Sequence, residues 1–251
     1  LQEALPRLRA RRAETKMEPT MPFQVKRRIA ALLALLIPAA AAEPAPDAAE
    51  ILRGVRDAYR SQAAGEFSGR LRTGNRTLPF TLSLGGGSVA YRFSDPPQTL
   101  ALELGEKGAS LRESTPGGER PVAPGRFETP LRGTDITYGD LSLRFIYWVD
   151  ARVIGEALFN TRPCWHLELR APDADRTQYG RVEAWIDRRS GALMKAEGYD
   201  PENRLATRFK VISGRQLPSG EWMLKQMRIE RFRNGRPTDP EPTYLELDPP
   251  K

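Results

Sequence analysis

The chain has 251 residues, a formal net charge of +7, one cysteine and one histidine. A single cysteine excludes an internal disulfide framework, and one His with one Cys cannot supply the three or four nitrogen and sulfur ligands of a zinc site. The charge is unevenly placed: residues 1–42 hold eight Lys and Arg against three Asp and Glu, leaving 31 basic and 29 acidic residues beyond them. The remainder is close to neutral, which removes the charge argument for a nucleic-acid partner.

Residues 1–20 carry Arg7, Arg9, Arg11, Arg12 and Lys16 and read as an extension upstream of the true start. Residues 21–42 have the parts of a secretory signal: Met21, the basic Lys26-Arg27-Arg28, an apolar run from Ile29, and Ala40-Ala41-Ala42 as the cleavage site before Glu43. The run falls short of the ~20 residues that a helix needs to span hydrocarbon. The expected product is a soluble periplasmic protein of one domain, residues 43–251. Cys164 lies far from the expected new N-terminus, so acylation there is not expected.

After the Pro-containing stretch from Glu43 to Pro46, Asp47 is an N-cap for a helix to about Gln62, with Ile51, Leu52, Val55, Ala58 and Tyr59 on one stripe. From Glu66 the apolar period drops to two, giving four short strands: Phe67 and Leu71, then Leu78 to Leu84, Val89 to Phe93, and Leu100 to Leu104. Asn75-Arg76, Gly85-Gly86-Gly87 and Asp95-Pro96-Pro97 are turns between them. No helix follows the three glycines, so a phosphate-binding loop is not supported. Ala109 to Phe127 predicts one strand and then a long mobile loop, because Pro116, Gly117, Gly118, Pro121, Pro124 and Gly125 disfavour regular structure.

Thr137-x-x-Asp140 has the capping-box pattern and predicts a short helix carrying Leu141, Phe145 and Trp148 on one face, with Ile146 and Tyr147 flanking. That helix is either an ordinary core element or an apolar lid. Strands resume from Arg152 to Phe159. In Cys164 to Tyr199, Trp165, Leu167 and Leu169 alternate with polar neighbours, Val182, Ala184 and Ile186 repeat the pattern, and Arg188-Arg189-Ser190-Gly191 turns into a third strand. Asn203 to Ile212, Glu221 to Phe232 and Thr243 to Leu247 complete the set. The fold class is mainly β (α+β): one large curled antiparallel sheet, or unclosed β-barrel, of about eleven strands with two covering helices.

The segments Gly133-Thr134-Asp135-Ile136-Thr137-Tyr138-Gly139-Asp140-Leu141, Pro163 to Leu169, and Val182 to Asp187 running on through Leu193-Met194-Lys195 to Asp200 resemble the LolA-like outer-membrane lipoprotein-sorting family, in its branch of uncharacterised exported relatives. The resemblance covers most of the chain from Ala48 to Leu247. It implies an unclosed β-barrel under a helical lid and, by the family's best-known members, transport of lipoprotein acyl chains across the periplasm. It carries over the fold more closely than the cargo.

Catalysis has little to stand on in the sequence. His166 is the one histidine, no G-x-S-x-G elbow accompanies it, and the carboxylates Asp173 and Asp175 sit in a turn. No cofactor or metal is expected. A binding role is better supported. With the Trp165 face turned inward, the curled sheet would line a groove with Phe67, Phe80, Tyr91, Phe93, Trp165, Ile186, Met194, Phe209, Met223 and Met227, with Val182 beside them, under the lid residues Leu141, Phe145 and Trp148. Flexible Met and aromatic side chains suit an acyl chain. The expected ligand is a lipid or lipoprotein acyl chain, the expected protein partners are envelope membrane proteins that donate or accept it, and the expected state is a monomer. The alternative is a non-enzymatic interaction module using the open sheet edge; a lipid hydrolase ranks below both.

Overall fold

The computed structural model describes residues 46–61, 64–173, 177–217, 220, 222–238 and 240–249; the expected extension and signal segment lie outside them. Helix α1 (Ala48–Arg60) is capped by Asp47, whose carboxylate accepts from the Ala49 N–H, and it buries Ala48, Leu52 and Val55. The strands are β1 (Gly65–Thr73), β2 (Arg76–Gly85), β3 (Ser88–Phe93), β4 (Gln98–Leu104), β5 (Ala109–Thr115), β6 (Gly118–Pro121), β7 (Asp150–Phe159), β8 (Arg162–Arg170), β9 (Arg181–Asp187), β10 (Leu193–Tyr199), β11 (Leu205–Gln216), β12 (Trp222–Arg233), β13 (Arg236–Pro237) and β14 (Thr243–Leu247). Helix α2 (Tyr138–Leu141) follows two 3-10 turns, Pro124–Arg126 and Leu131–Gly133, and precedes a third at Arg144–Tyr147.

All strands belong to one antiparallel sheet, ordered β6-β5-β4-β3-β2-β1-β14-β12-β11-β10-β9-β8-β7, with β13 hanging from β12. The sheet is not closed: β6 and β7 are its two edges. Strand β14 inserts between β1 and β12, pairing Leu71 with Leu245 and Met227 with Leu245, so strands far apart in sequence meet in the middle of the sheet.

The inner face carries two adjoining apolar groups. One gathers Leu71, Phe80, Phe93, Leu100, Leu102 and Ile229 with Leu131 and Ile136 from the covering segment. The other places Leu52 and Val55 of α1 on Leu167, Leu169, Val182 and Ile186, with Ile146 and Trp148 between. The opposite face is paved with ion pairs across strands, such as Arg70–Glu246–Arg72 and Arg208–Glu197–Lys195.

Four expectations are corrected here. Fourteen strands form, not about eleven. Residues 109–127 hold β5, β6 and a 3-10 turn instead of a long loop, because Gly118, at φ 110°, lets Pro116-Gly117 close a hairpin. The helix starting at Thr137 has its capping box but stops at Leu141; Leu143 is left-handed at φ 48° and the chain re-forms as the 3-10 turn Arg144–Tyr147. The positions of β8 and β9 that alternate with the inward ones are also not all polar and exposed: Cys164 and Trp185, next in line to the inward Leu167 and Ala184, are buried. The His166 ring at 4.1 Å and the Lys195 ammonium at 3.8 Å lie on the Trp185 ring and cover it.

Two buried carboxylates make the fold acid-sensitive. The Arg126 guanidinium, with Gln98 and Arg120, holds the Glu113 carboxyl down at about 2. Burial pushes Asp187 up, but donors from Arg162 and from the Ser190 hydroxyl and N–H outweigh it and hold Asp187 at about 2. Both titrate lower folded than unfolded, so their stabilisation is fully present above the ordinary carboxylate range of about 4 and is lost as pH falls through about 2. Denaturation midpoints taken from pH 5 downward should fall over that window. Glu113→Gln should lower stability at neutral pH and flatten the acid dependence; an unchanged slope would remove Glu113 from this account.

Candidate functional site: an apolar cavity on the inner face

Between the inner face of the sheet and its covering segments lies a cavity of about 820 Å³. Strand parity builds its walls. Phe67 of β1, Leu82 of β2, Tyr91 of β3 and Leu102 of β4 point inward from one side, and Phe209, Met223 and Met227 of β11 and β12 from the other. Tyr59 reaches in from the last turn of α1. Burial pushes the phenols of Tyr59 and Tyr91 upward, as an apolar surround should.

Of the groove residues predicted from sequence, Phe67, Tyr91, Met194, Phe209, Met223 and Met227 line this cavity, whereas Phe80, Phe93, Trp165 and Ile186 do not. Phe80 fills the space over Gly69, where a Cβ would stand 2.7 Å from its ring. Phe93 is packed under the Arg132 guanidinium at 4.5 Å and beside Phe80 at 5.9 Å. Ile186 is fully enclosed in the group under α1. Trp165 is half-buried, with Arg188 stacked 4.1 Å above it. Leu141, Phe145 and Trp148 all line the cavity, yet from the end of α2, the 3-10 turn and its C-cap instead of from one helix face. Leu82 and Leu102 were missed as lining residues although their inward register is implicit in the same alternation, and Tyr59 although it lies on the apolar stripe of α1.

One part of the wall is polar. Asp140 accepts hydrogen bonds from the Tyr179 hydroxyl, from Gln178 Nε2 at 2.8 Å and from the Thr137 N–H at 2.8 Å. Burial raises the Asp140 pKa against these donors, and burial likewise raises that of Tyr179. His166 and Cys164 lie elsewhere. His166 pairs with Glu183 at 2.9 Å and stacks on Trp185 at 4.1 Å, with the Lys195 ammonium 3.8 Å from the Trp185 ring. The Cys164 thiol is fully buried and pushed up to about 11, chiefly by burial. Asp173 is exposed in its turn, and Asp175 lies outside the described residues. Among the described residues, no three His, Cys, Asp or Glu gather where they could hold a metal.

The exposed members of the lining define where the cavity opens. They are Ser61 and Ala64 after α1, Asn160 at the β7–β8 turn, Ser190 and Ala192 at the β9–β10 turn, and Ile212, Gly214, Gly220 and Trp222 at the β11–β12 end. The β7–β8 turn is tied to β11 by Asn160 Nδ2 donating to the Val211 carbonyl at 3.0 Å, and Arg162 stands 5.9 Å from the Trp222 ring. No described helix is long and apolar enough to cross a membrane.

Comparison with solved structures finds the same open sheet. An outer membrane lipoprotein-sorting protein domain from Vibrio parahaemolyticus superposes with a TM-score of 0.66 at 17% identity, covering 80% of this chain and 89% of that one. A DUF1329 family protein from Desulfovibrio piger gives 0.60 at 17% identity over 80% and 90%. A LolA superfamily protein from Nitrosomonas europaea gives 0.55 at 17% identity over 81% and 92%. No curated protein matches the sequence. The fold expected from the sequence motifs is therefore the fold found. A family model described as "Uncharacterized protein" matches residues 119–250, more than half of the chain, so the protein belongs to that family and carries the fold of the LolA-like lipoprotein-sorting structures.

Proposed function

We propose that this protein is an exported, periplasmic carrier that holds a lipid or lipoprotein acyl chain in the inner-face cavity. The observation that carries the reading is the cavity itself, about 820 Å³ with aromatic, leucine and methionine walls. That size suits a small-molecule site, and burying each acyl CH₂ is worth about 0.8 kcal/mol, so a chain of modest length binds without a strong polar anchor. Similarity to structures described as lipoprotein-sorting domains supports the class of cargo. Binding is favoured over bond-breaking because neither His166 nor Cys164 is in the wall, which leaves its serines without an imidazole partner. Envelope membrane proteins would then supply and receive the cargo, with the carrier acting as a monomer.

A second reading, an interaction module, draws support from edge strand β7, where Ile154 and Leu158 are exposed. Native mass spectrometry of protein from an exporting host, followed by titration of the delipidated chain with a fluorescent fatty acid, separates the two. The carrier should arrive with lipid-sized mass increments and bind the probe saturably. A bare protein that ignores the probe at micromolar concentration would leave the interaction module as the better account.

A further inference from the structure

The open end of the cavity differs from the rest of the surface in two ways. Of the five exposed large apolar side chains among the described residues, three lie at this end, Trp222 at 59%, Leu158 at 76% and Ile212 at 39%, and the other two are Val149 and Ile154. Trp222 and Ile212 line the mouth directly, and Leu158 lies two residues before the rim residue Asn160 on the same hairpin. Nothing about a cavity requires its rim to be apolar: a rim meeting only water would be expected to carry polar side chains.

The second feature is charge. The segments 158–163, 187–192 and 210–225, which carry the three turns around the mouth, hold six Lys and Arg (Arg162, Arg188, Arg189, Lys210, Arg215, Lys225) against two acids, Asp187 and Glu221. Residues 43–251 as a whole have only two more basic than acidic residues, so these three segments hold a positive excess that the rest of that stretch does not. Arg162 is paired with Asp187 and Arg188 with Glu156, while the segments themselves still hold four more basic than acidic residues. An indole and two aliphatic side chains set among cations is the composition of a surface that enters the headgroup layer of an anionic bilayer: Trp prefers the interface, aliphatic groups reach the acyl boundary, and each nearby cation adds attraction to anionic lipid.

We infer that the rim formed by Leu158, Ile212 and Trp222 docks the open end of the cavity onto an anionic lipid surface. In this arrangement the acyl chain passes between bilayer and cavity without crossing water. The step rests on the acyl-carrier reading for its purpose, while docking itself is measured independently of it.

The test uses the exported protein and two sets of vesicles, phosphatidylethanolamine with a quarter phosphatidylglycerol, and phosphatidylcholine alone. Flotation should recover the protein with the anionic vesicles at low salt and much less with phosphatidylcholine or at high salt. Leu158→Ser, which touches the rim but not the cavity wall, and the double variant Ile212→Ser with Trp222→Ser should each weaken vesicle binding tenfold or more. Val149→Ser, at the exposed residue just before the far end of β7, should leave it unchanged. Failure of the parent to bind anionic vesicles, or equal binding by the rim variants, overturns the inference. Solution binding of a fluorescent fatty acid, measured without vesicles, keeps the two ideas apart. Uptake without vesicle binding overturns docking and leaves the carrier reading standing, with protein partners loading it. Rim-dependent vesicle binding without uptake upholds docking and removes the carrier reading.

Discussion

Met227→Gln should weaken binding of a fluorescent fatty acid about tenfold or more, equivalent to about 1.4 kcal/mol, and lower the melting temperature by only a few degrees. Phe93→Asn should do the reverse, unfolding much of the protein while showing no specific effect on the affinity of whatever fraction stays folded. The two residues share the inner face of the sheet but differ in what they touch. Met227 borders the cavity and is only half-buried, so an amide there meets open space in the free protein. The cost is felt when an acyl chain covers the amide and leaves its donors and acceptors unmatched, about 1 to 3 kcal/mol. Phe93 is 2% exposed and is not on the wall. Removing its ring from between Phe80 and the Arg132 guanidinium loses packing on the order of 3 to 5 kcal/mol before the stranded amide is counted. Set against the 5 to 15 kcal/mol of a typical domain, that is a large fraction of the whole. Thermal melts and probe titrations on both variants check the pair. A stable Phe93→Asn that has lost the probe would mean that the ligand reaches deeper than the cavity now extends.

The contrast between those two residues also marks what the sequence could and could not disclose. Alternation assigns a face: Phe67, Phe80, Tyr91 and Phe93 all fall inward as expected from period two. It says nothing about where along the strand a covering segment lies. Phe93 lies under Arg132 of the covering segment with Phe80 packed beside it, whereas Phe67 and Tyr91 face the cavity. The caps were legible because each is a local pattern: Asp47 before α1, and Thr137 with Asp140 at α2. The left-handed turn at Leu143 was not, since a leucine at φ 48° carries no sequence signal and is imposed by what surrounds it. Burial of Trp185 between the His166 ring of β8 and the Lys195 ammonium of β10 is a property of three paired strands and not of any one of them.

The covering segment is fastened at two points, and Asp135→Ala should release one of them at a cost of about 3 kcal/mol, or about 10 °C in melting temperature for a domain of this size. Asp135 Oδ2 accepts from both the N–H and the hydroxyl of Thr243 at 2.9 Å, joining the segment to β14. Thr243 is completely buried, so without the carboxylate its backbone donor has no water to turn to. The second fastening is Asp140, held by Tyr179 and Gln178 from the stretch before β9. Tyr179→Phe removes one donor from a buried carboxyl whose pKa burial already raises. A group raised in the folded state gives stability that is fully present below its unfolded pKa and is lost as pH rises through its folded value. Tyr179→Phe should push that folded value higher and make neutral pH more costly than in the parent. These fastenings place any lid motion beyond them, in residues 142–148, where Leu143 is left-handed and the 3-10 turn leans on α1 through Arg56 donating to the Ile146 carbonyl at 2.6 Å. Hydrogen exchange with and without fatty acid should therefore change over 142–148 and stay slow over 134–141 in both states, while Asp135→Ala speeds exchange over 134–141 whether or not lipid is present. Protection over 142–148 that ignores the ligand would mean that these residues form a fixed roof, and that the acyl chain enters only through the open end beside Trp222.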